Sequence, residues 1–305
     1  MICFVFHLFG LTLSAQNNIT ANPPVEIWQR ATVSLGNVKQ KEFNKKKYKY
    51  FNILGTGVMF YITYRKQTIP VIITAKHVLK NEKGVIIDTI RVRFSWESNK
   101  SVYENLGYKA ILSQKDTLYY FQLPDTSIDL ACIPMTNMLD SIKQQPDWSM
   151  LIPYSYFARD VDYFEGRDVF TLGYPASVGS KYWTRGLLRK GIISWLPDSG
   201  VSKTKFIIDC NVFPGNSGGP VFSFPYTGMT TMDTAMYENK FYGIVIERRL
   251  NYNDTYKVDA HTKGYKKADV FSPESMSVGI VEPAKNVFAL LKLVENFLSN
   301  GPIKK

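Results

Sequence analysis

Short apolar runs recur along the chain, and turn-forming residues separate them. In the first half they read EIWQRATVSLG, YKYFNILGTGVMFYITYR, TIPVIITAKHVL and GVIIDTIRVRFSW, and in the second half DVFTLGYPA, KFIIDCNVF, GPVFSF and FYGIVIERRL. Many short runs broken by Gly, Pro, Asp and Asn are typical of the strands of a β-sandwich or β-barrel. Strands do not alternate with long helices in this pattern, which therefore predicts an all-β fold and argues against a doubly wound sheet.

One segment near the end has helical spacing. The stretch SVGIVEPAKNVFALLKLVENFLSN contains Pro283, which suits the first turn of a helix. Beyond this proline, apolar residues recur three or four positions apart. They are Val287, Leu290, Leu291, Val294 and Leu298. We expect a terminal helix that packs on a barrel, in preference to one that binds a membrane.

Composition supports a β-rich protein with a sizeable core. The chain has 305 residues, of which 45% are apolar and 14% aromatic, enough for one large domain or two small ones. The formal net charge of +11 permits an anionic partner. The densest basic run, VKQKEFNKKKYKYF at 38–51, predicts a solvated strand edge or hairpin, because lysines commonly protect sheet edges. No zinc-finger, RNP-like or recognition-helix pattern accompanies it, so no specific nucleic acid is expected. An anion-binding module remains an alternative.

The amino terminus has the pattern of a secretory signal peptide. An apolar stretch from Ile2 to Leu13 precedes the small residues Ser14 and Ala15. It is shorter than the roughly 20 apolar residues of a membrane span. We predict a signal peptide over residues 1–15, cleaved near Ala15–Gln16, and a secreted or periplasmic mature protein without a membrane span. Since no Lys or Arg precedes the apolar stretch, a retained short anchor remains an alternative.

Cysteine usage indicates neither a disulfide framework nor a metal site. Cys3 lies in the predicted signal peptide, which leaves Cys132 and Cys210. Two cysteines in so long a chain are predicted as buried thiols, with pairing between them as the alternative. No Cys/His cluster has metal-ligand spacing, and no metal or organic cofactor is expected.

The stretch FPGNSGGPVF, at 213–222, places three glycines and two prolines around Ser217. Glycine in a strand interior costs backbone entropy, and proline removes a hydrogen-bond donor. The stretch therefore predicts a tight loop that holds Ser217 for chemistry. A serine nucleophile needs a base, usually histidine, and a third group that orients the base.

Histidine is scarce in this chain, which makes the search for a base decisive. His7 lies in the predicted signal peptide, and His261 lies in the polar, loop-like stretch KVDAHTKGYKK. His77, in VIITAKHVLK, follows an apolar strand and is the predicted base. The predicted acid is Asp129 in SIDLACIPM, because a carboxylate within such an apolar run needs donors. Asp125 in the turn-like LPDTS is the less favoured choice.

TAKH, IDLA and GNSGGP follow one another in the order histidine, aspartate, serine. This order resembles the chymotrypsin-like (trypsin-fold) serine peptidases, and among them the bacterial HtrA- and glutamyl-endopeptidase-like branch. GTGVMF, TLGYPASVGS, FYGIVIE and VGIVEPAKNVFALL resemble further segments of that family, so the likeness covers roughly residues 25–298. It implies two six-stranded antiparallel β-barrels and a C-terminal α-helix. Residues 16–150 would form the barrel with the histidine and aspartate, and 151–305 the barrel with the serine.

The resemblance also implies roles for single residues. Ser217 would be the nucleophile and His77 the general base and then acid, while Asp129 would orient His77. The backbone N–H groups of Gly215 and Ser217 would form the oxyanion hole. Asn216 stands where the digestive enzymes have the aspartate that pairs with a freed amino terminus, so no such activation switch is expected. The substrate would be a protein or peptide.

Primary specificity is expected from four positions. By the resemblance, the floor of the pocket is Asn211, six positions before the serine, and its wall is Val245, Ile246 and Glu247. The floor is neutral, and an unpaired buried charge is costly, so an apolar or small uncharged P1 residue is expected. The stretches 225–240 and 252–276 are long for hairpin connections here, and the sequence gives them no role.

Two other classes of function compete. GNSGG also satisfies Gly-x-Ser-x-Gly, the nucleophile elbow of α/β-hydrolase esterases, in which Asp254 or Asp259 would serve with His261. That elbow requires a helix directly after the serine, whereas GGPVFSF reads as a strand. A non-catalytic relative of the trypsin fold that binds peptides or a partner protein is the other alternative. The oligomeric state stays open.

Overall fold

The computed structural model describes residues 24–95, 106–115, 117–139, 151–176, 185–198, 205–225, 238–259 and 264–300. Most of these residues lie in two six-stranded antiparallel sheets, and the sheet of the second half closes into a barrel. A helix at the carboxyl end packs on the first sheet. The predicted all-β class, with two barrel-like sheets and a terminal helix, is confirmed.

The first sheet carries the histidine and aspartate motifs. Its strand order is β5-β4-β1-β2-β3-β8, and every neighbouring pair is antiparallel. In β3 the apolar run is continuous, and seven successive residues are buried, as expected of a strand covered on both faces. The strands are β1 Thr32–Phe43, β2 Lys46–Tyr64, β3 Gln67–Ala75, β4 Thr89–Arg93, β5 Tyr108–Ile111 and β8 Leu130–Pro134, beside a small pair of β6 Ser113–Gln114 and β7 Thr117–Leu118.

The lysine-rich run forms the outer part of the β1–β2 hairpin. Val38 pairs with Phe51 and Phe43 with Lys46, and residues 39–49 are exposed. The two turn residues have positive φ, 49° at Asn44 and 61° at Lys45, which suits a tight two-residue hairpin turn. The predicted solvated hairpin is confirmed.

The second sheet is a closed barrel that carries the serine motif. Its strand order is β10-β11-β14-β13-β12-β9, so β10 and β9 complete the ring. Residues 252–259 and 264–276 belong to the long hairpin of β13 and β14, and most of 225–240 lies outside the described residues. The strands are β9 Asp168–Gly173, β10 Leu187–Trp195, β11 Phe206–Asp209, β12 Pro220–Ser223, β13 Lys240–Asp259 and β14 Gly264–Pro283.

The terminal helix α3, Ala284–Asn300, follows β14 directly and returns to the first sheet. Val287, Leu290, Leu291 and Val294 are fully buried in one cluster with side chains of β2, β3 and β8. Burial of each such side chain contributes about 1.5–3 kcal/mol, so the helix fastens the two halves of the chain together. No helix among the described residues is long and apolar enough to cross a membrane.

The run EIWQRATVSLG differs from its strand-like reading, because its first part is helical. Helix α1, Pro24–Ala31, places an acid in the first turn and a base in the last, and Glu26 pairs with Arg30 one turn later. Trp28 is fully buried and stacks on Phe222 with ring centroids 4.3 Å apart. A second short helix, α2, spans Thr136–Leu139.

Candidate active site

His77 lies on a 3-10 turn, Lys76–Leu79, that follows β3. Val78 and Leu79 are buried and hold the turn against the core, whereas the His77 side chain is 47% exposed. Burial of the apolar neighbours therefore presents the imidazole to solvent at the end of a rigid strand.

Sheet register brings Asp129 to this histidine. Ala75, the last residue of β3, pairs with Leu130, the first residue of β8, so the residues just outside each strand are neighbours. Asp129 Oδ2 lies 2.6 Å from His77 Nδ1, and Asp129 Oδ1 accepts the backbone N–H of His77 at 3.0 Å. These two contacts fix both the position and the rotation of the imidazole. With Nδ1 facing a carboxylate, Nε2 is left to accept a proton.

Asp125, the less favoured acid, has a local role. Its Oδ1 accepts hydrogen bonds from the backbone N–H and the hydroxyl of Ser127. These bonds hold the pKa of the Asp125 carboxyl below its usual value. The side chain therefore stabilises the turn that leads to Asp129.

The serine loop connects β11 to β12 and is fastened to β2 of the other sheet. Ser217 is half-buried, and its carbonyl oxygen accepts the backbone N–H of Thr56 at 2.8 Å. Thr56 Oγ1 donates to the carbonyl of Gly215 at 2.7 Å. The carbonyl of Thr56 in turn accepts the hydroxyl of Thr74, three residues before His77, at 2.7 Å. Two side-by-side strands therefore link the serine to the histidine.

Two positions in the loop require glycine. Gly215 has φ 96° and Gly218 has φ 92°, in the region that residues with a Cβ rarely occupy. A Cβ on Gly218 would collide with the carbonyl oxygen of Thr56, and one on Gly215 with that of Tyr174. The glycines thus permit both the turn and its close approach to the neighbouring backbone.

The backbone N–H groups of Gly215 and Ser217 form no hydrogen bond within the described part of the chain. Backbone donors that are free near a nucleophilic hydroxyl are what an oxyanion hole needs. Among the described residues, no hydrogen bond joins the Ser217 hydroxyl to the His77 ring. In enzymes without substrate, catalytic hydrogen bonds are often long, so the assignment depends on the surrounding geometry.

The sequence profile of the trypsin-like peptidase domain matches residues 55–226, which is more than half of the chain. The chain belongs to the trypsin-like peptidase family. It is therefore a peptidase, and its substrates are proteins or peptides. The matched region contains TAKH, IDLA and GNSGGP with their strands.

Solved structures that are similar to this chain include one from a mycobacterium. The Rv3671c protein of M. tuberculosis H37Rv, crystallised as a serine-to-alanine mutant in its inactive form, is 16% identical to this chain. The superposition has a TM-score of 0.44 and covers 96% of this chain and 99% of that one. No significant match was found among curated protein sequences.

The peptidase has an open pocket beside Asn211, the predicted floor of the specificity site. Asn211 itself is exposed, and the pocket is lined by residues 190–192 and 209–211. Of the predicted wall, Val245 and Ile246 are buried in apolar clusters and Glu247 is exposed. None of these three lines the pocket at Asn211, and their role in specificity stays a prediction.

The cysteines of the peptidase outside the predicted signal peptide are buried free thiols, as predicted. Burial raises the pKa of the Cys210 thiol to about 11, and it raises the pKa of Cys132 as well. Within the described ranges, no group of three or more His, Cys, Asp and Glu side chains could hold a metal ion.

The nucleophile-elbow reading is wrong. It needs a helix directly after the serine, and the chain instead turns at Gly218 and enters β12 at Pro220. His261, which that reading requires as its base, lies outside the described residues, and Asp254 and Asp259 lie in β13.

Sequence reasoning missed two residues that hold the site. Thr56 lies in GTGVMF, a string that by itself does not indicate this role, yet its hydroxyl joins the serine loop to β2. Glu282 is 1% exposed and accepts the backbone N–H of Asp129 at 3.1 Å. The argument that selected Asp129, an acid within an apolar run, applies equally to the glutamate in VGIVEP.

Proposed function

We propose that this trypsin-like peptidase is a serine endopeptidase that works through an acyl-enzyme. Ser217 is the nucleophile, His77 the general base and acid, and Asp129 the residue that orients the histidine. The observation that carries the proposal is the double contact of Asp129 with His77, at 2.6 Å to the ring and 3.0 Å to the backbone N–H. The attachment of the Ser217 loop to the neighbouring strand supports it.

The reaction proceeds in two halves. His77 Nε2 takes the proton of the Ser217 hydroxyl while Oγ attacks the scissile carbonyl carbon, and the Asp129 carboxylate stabilises the imidazolium. The carbonyl oxygen becomes an oxyanion that the N–H groups of Gly215 and Ser217 stabilise, and loss of one such donor typically costs about 3 kcal/mol. The tetrahedral intermediate expels the amine, which receives the proton from His77. Water then attacks the ester with the same proton transfers, releasing the acid and restoring Ser217.

Several finer assignments belong to this proposal. The motif strings support the bacterial HtrA- and glutamyl-endopeptidase-like branch. The stretch QQPDWSMLIPYSYFARD reads as a connector between the apolar runs of the two halves, which supports a boundary near residue 150. The signal-peptide pattern at 1–15, which lies outside the described residues, supports export to the periplasm or the medium. We propose an apolar or small uncharged P1 residue. Sequencing of cleavage sites from a peptide library tests it, and a strong preference for Lys, Arg or Glu at P1 would refute it.

A fluorophosphonate probe tests the nucleophile directly. The probe should label the wild-type protein at one residue, and both labelling and peptide hydrolysis should be lost in Ser217→Ala. His77→Ala should abolish turnover, and the matched variant His261→Ala should retain it. Labelling of Ser217→Ala would overturn the assignment. An unlabelled wild type without hydrolysis would favour the non-catalytic alternative.

A further inference from the structure

The loop that carries Asp129 is held by a lysine of its own sheet. Lys76, adjacent to His77, is 8% exposed. Its ammonium donates to the carbonyl oxygen of Thr126 at 3.2 Å and to that of Ile128 at 3.1 Å. The hydrogen bonds of Lys76 thus connect the turn that carries His77 to the loop that carries Asp129.

Residues of the other barrel also contact the loop that carries Asp129. Lys205, just before β11, donates to the carbonyl oxygen of Ser127 at 3.1 Å. Its ammonium also lies 3.4 Å from Oε1 of Glu282, at the end of β14. That oxygen accepts the backbone N–H of Asp129 at 3.1 Å. Two residues of the second barrel therefore contact the backbone on both sides of Ile128.

The carboxylate of Glu282 is buried, and hydrogen-bond donors fix its orientation. The residue is 1% exposed, and a buried carboxylate is costly unless donors surround it. Its Oε2 accepts the side-chain amide of Asn286 at 2.9 Å, and the residue precedes the amino-terminal end of α3, where the helix dipole favours an anion. The contacts with Asn286 and Lys205 therefore favour the orientation in which Oε1 faces Asp129.

We propose that Glu282, together with Lys205, is a positioning residue for Asp129. The carboxylate fixes the Asp129 backbone from the second barrel, and the Asp129 side chain is then aimed at His77. The packing of β14 and α3 on the first sheet is thereby coupled to the orientation of the His77 imidazole. This inference rests on the proposed function of the His77, Asp129 and Ser217 set.

Three variants separate positioning from bulk stability. Glu282→Leu removes the acceptor, and kcat should fall about 10- to 100-fold with KM little changed, as for a small misplacement of a catalytic group. Glu282→Gln keeps an amide oxygen that can accept the Asp129 N–H, so it should restore most of kcat. Lys205→Met should give an intermediate loss. Lys240→Met is the matched control, since Lys240 pairs with Asp162 at 3.5 Å in the same barrel without touching the Asp129 loop.

Each variant is assayed below its own Tm, for peptide hydrolysis and for the rate of fluorophosphonate labelling. A folded Glu282→Leu with wild-type kcat would overturn the inference, as would a Glu282→Gln as slow as Glu282→Leu. Should Glu282→Leu fail to fold, equal kcat values for Lys205→Met and Lys240→Met would overturn it instead. Labelling of Ser217→Ala would show that the proposed function fails. Loss of labelling there, with normal labelling of Glu282→Leu, would refute this inference alone.

Discussion

The backbone N–H of Thr56 donates to the carbonyl oxygen of Ser217 at 2.8 Å, across the boundary between the two sheets. The serine belongs to the closed barrel, and the strand that holds its backbone belongs to the sheet with the histidine. Because the Thr56 side chain also binds the carbonyl of Gly215, one residue fixes both ends of the segment that would form the oxyanion hole.

Replacing Thr56 with valine should loosen this segment. Thr56→Val keeps the shape but removes the hydroxyl that donates to Gly215 and accepts the N–H of Tyr174 at 3.1 Å. Two buried groups lose their partner, at a cost of about 1–3 kcal/mol each, and kcat should fall more than KM rises. Chemical denaturation and steady-state kinetics measure the two effects.

Thr171→Val is the control for this substitution. The Thr171 hydroxyl is buried and has no hydrogen-bond partner among the described residues. Because no partner loses a hydrogen bond, Thr171→Val should leave the free energy of unfolding unchanged or raise it. Equal effects of the two substitutions would refute the role given to the Thr56 hydroxyl.

Asn216, next to the nucleophile, should not tolerate an aspartate. The residue is fully buried. In the described part of the structure, neither the oxygen nor the nitrogen of its side-chain amide has a hydrogen-bond partner. Asn216→Asp would bury a carboxylate without a counter-charge, at a cost of several kcal/mol, so we expect a lower Tm and loss of probe labelling. Asn44→Asp, at an exposed hairpin turn, should match the wild type. A stable, active Asn216→Asp would refute the expected cost of an uncompensated charge at this position.

The triad candidates could be predicted because the residues next to each of them in sequence indicate its role. Gly215 and Gly218 surround Ser217, and apolar strands flank His77 and Asp129. Contacts between distant segments leave no such trace, since Glu282 and Asp129 are 153 positions apart. The amino-terminal helix was missed because its apolar content resembles that of the strands, and its helical signals are single charges at its ends. The specificity wall depends on side-chain directions that a strand pattern does not fix.

The buried thiols should be inert in the native protein. Burial raises the pKa of Cys210 to about 11 and that of Cys132 still further, and the thiolate is the reactive form. Iodoacetamide at pH 8 should therefore leave both unmodified for hours, and both should react after denaturation in guanidinium. Mass spectrometry of the intact protein and of its peptides counts the modifications. Native labelling as fast as denatured labelling would contradict the burial of these residues.

Glu295 should make the anchoring of the terminal helix dependent on pH. Its Oε1 accepts the backbone N–H of Thr63 at 3.0 Å and the hydroxyl of Tyr154 at 3.1 Å, and its Oε2 lies 2.6 Å from the ammonium of Lys292. Burial alone would raise the pKa of Glu295, but the hydrogen bonds from Lys292, Thr63 and Tyr154 together outweigh it and lower the pKa. A carboxyl whose folded pKa is depressed stabilises the fold above its unfolded pKa of about 4.3, and this stabilisation is lost as pH falls through the folded value.

Glu295→Gln should therefore lower stability near neutral pH and have little effect in acid. At pH 7 we expect a loss of about 1 kcal/mol or less, because Lys292 is 45% exposed and water screens its charge. As pH falls below the unfolded pKa of about 4.3, the unfolded wild type takes up the proton first and the folded carboxyl follows at a lower pH, so the two unfolding curves should converge. Glu82→Gln, at an exposed turn, should not show this convergence, since it should match the wild type throughout. A constant difference in Tm between Glu295→Gln and wild type from pH 3 to pH 8 would mean that the charge of Glu295 does not hold the helix.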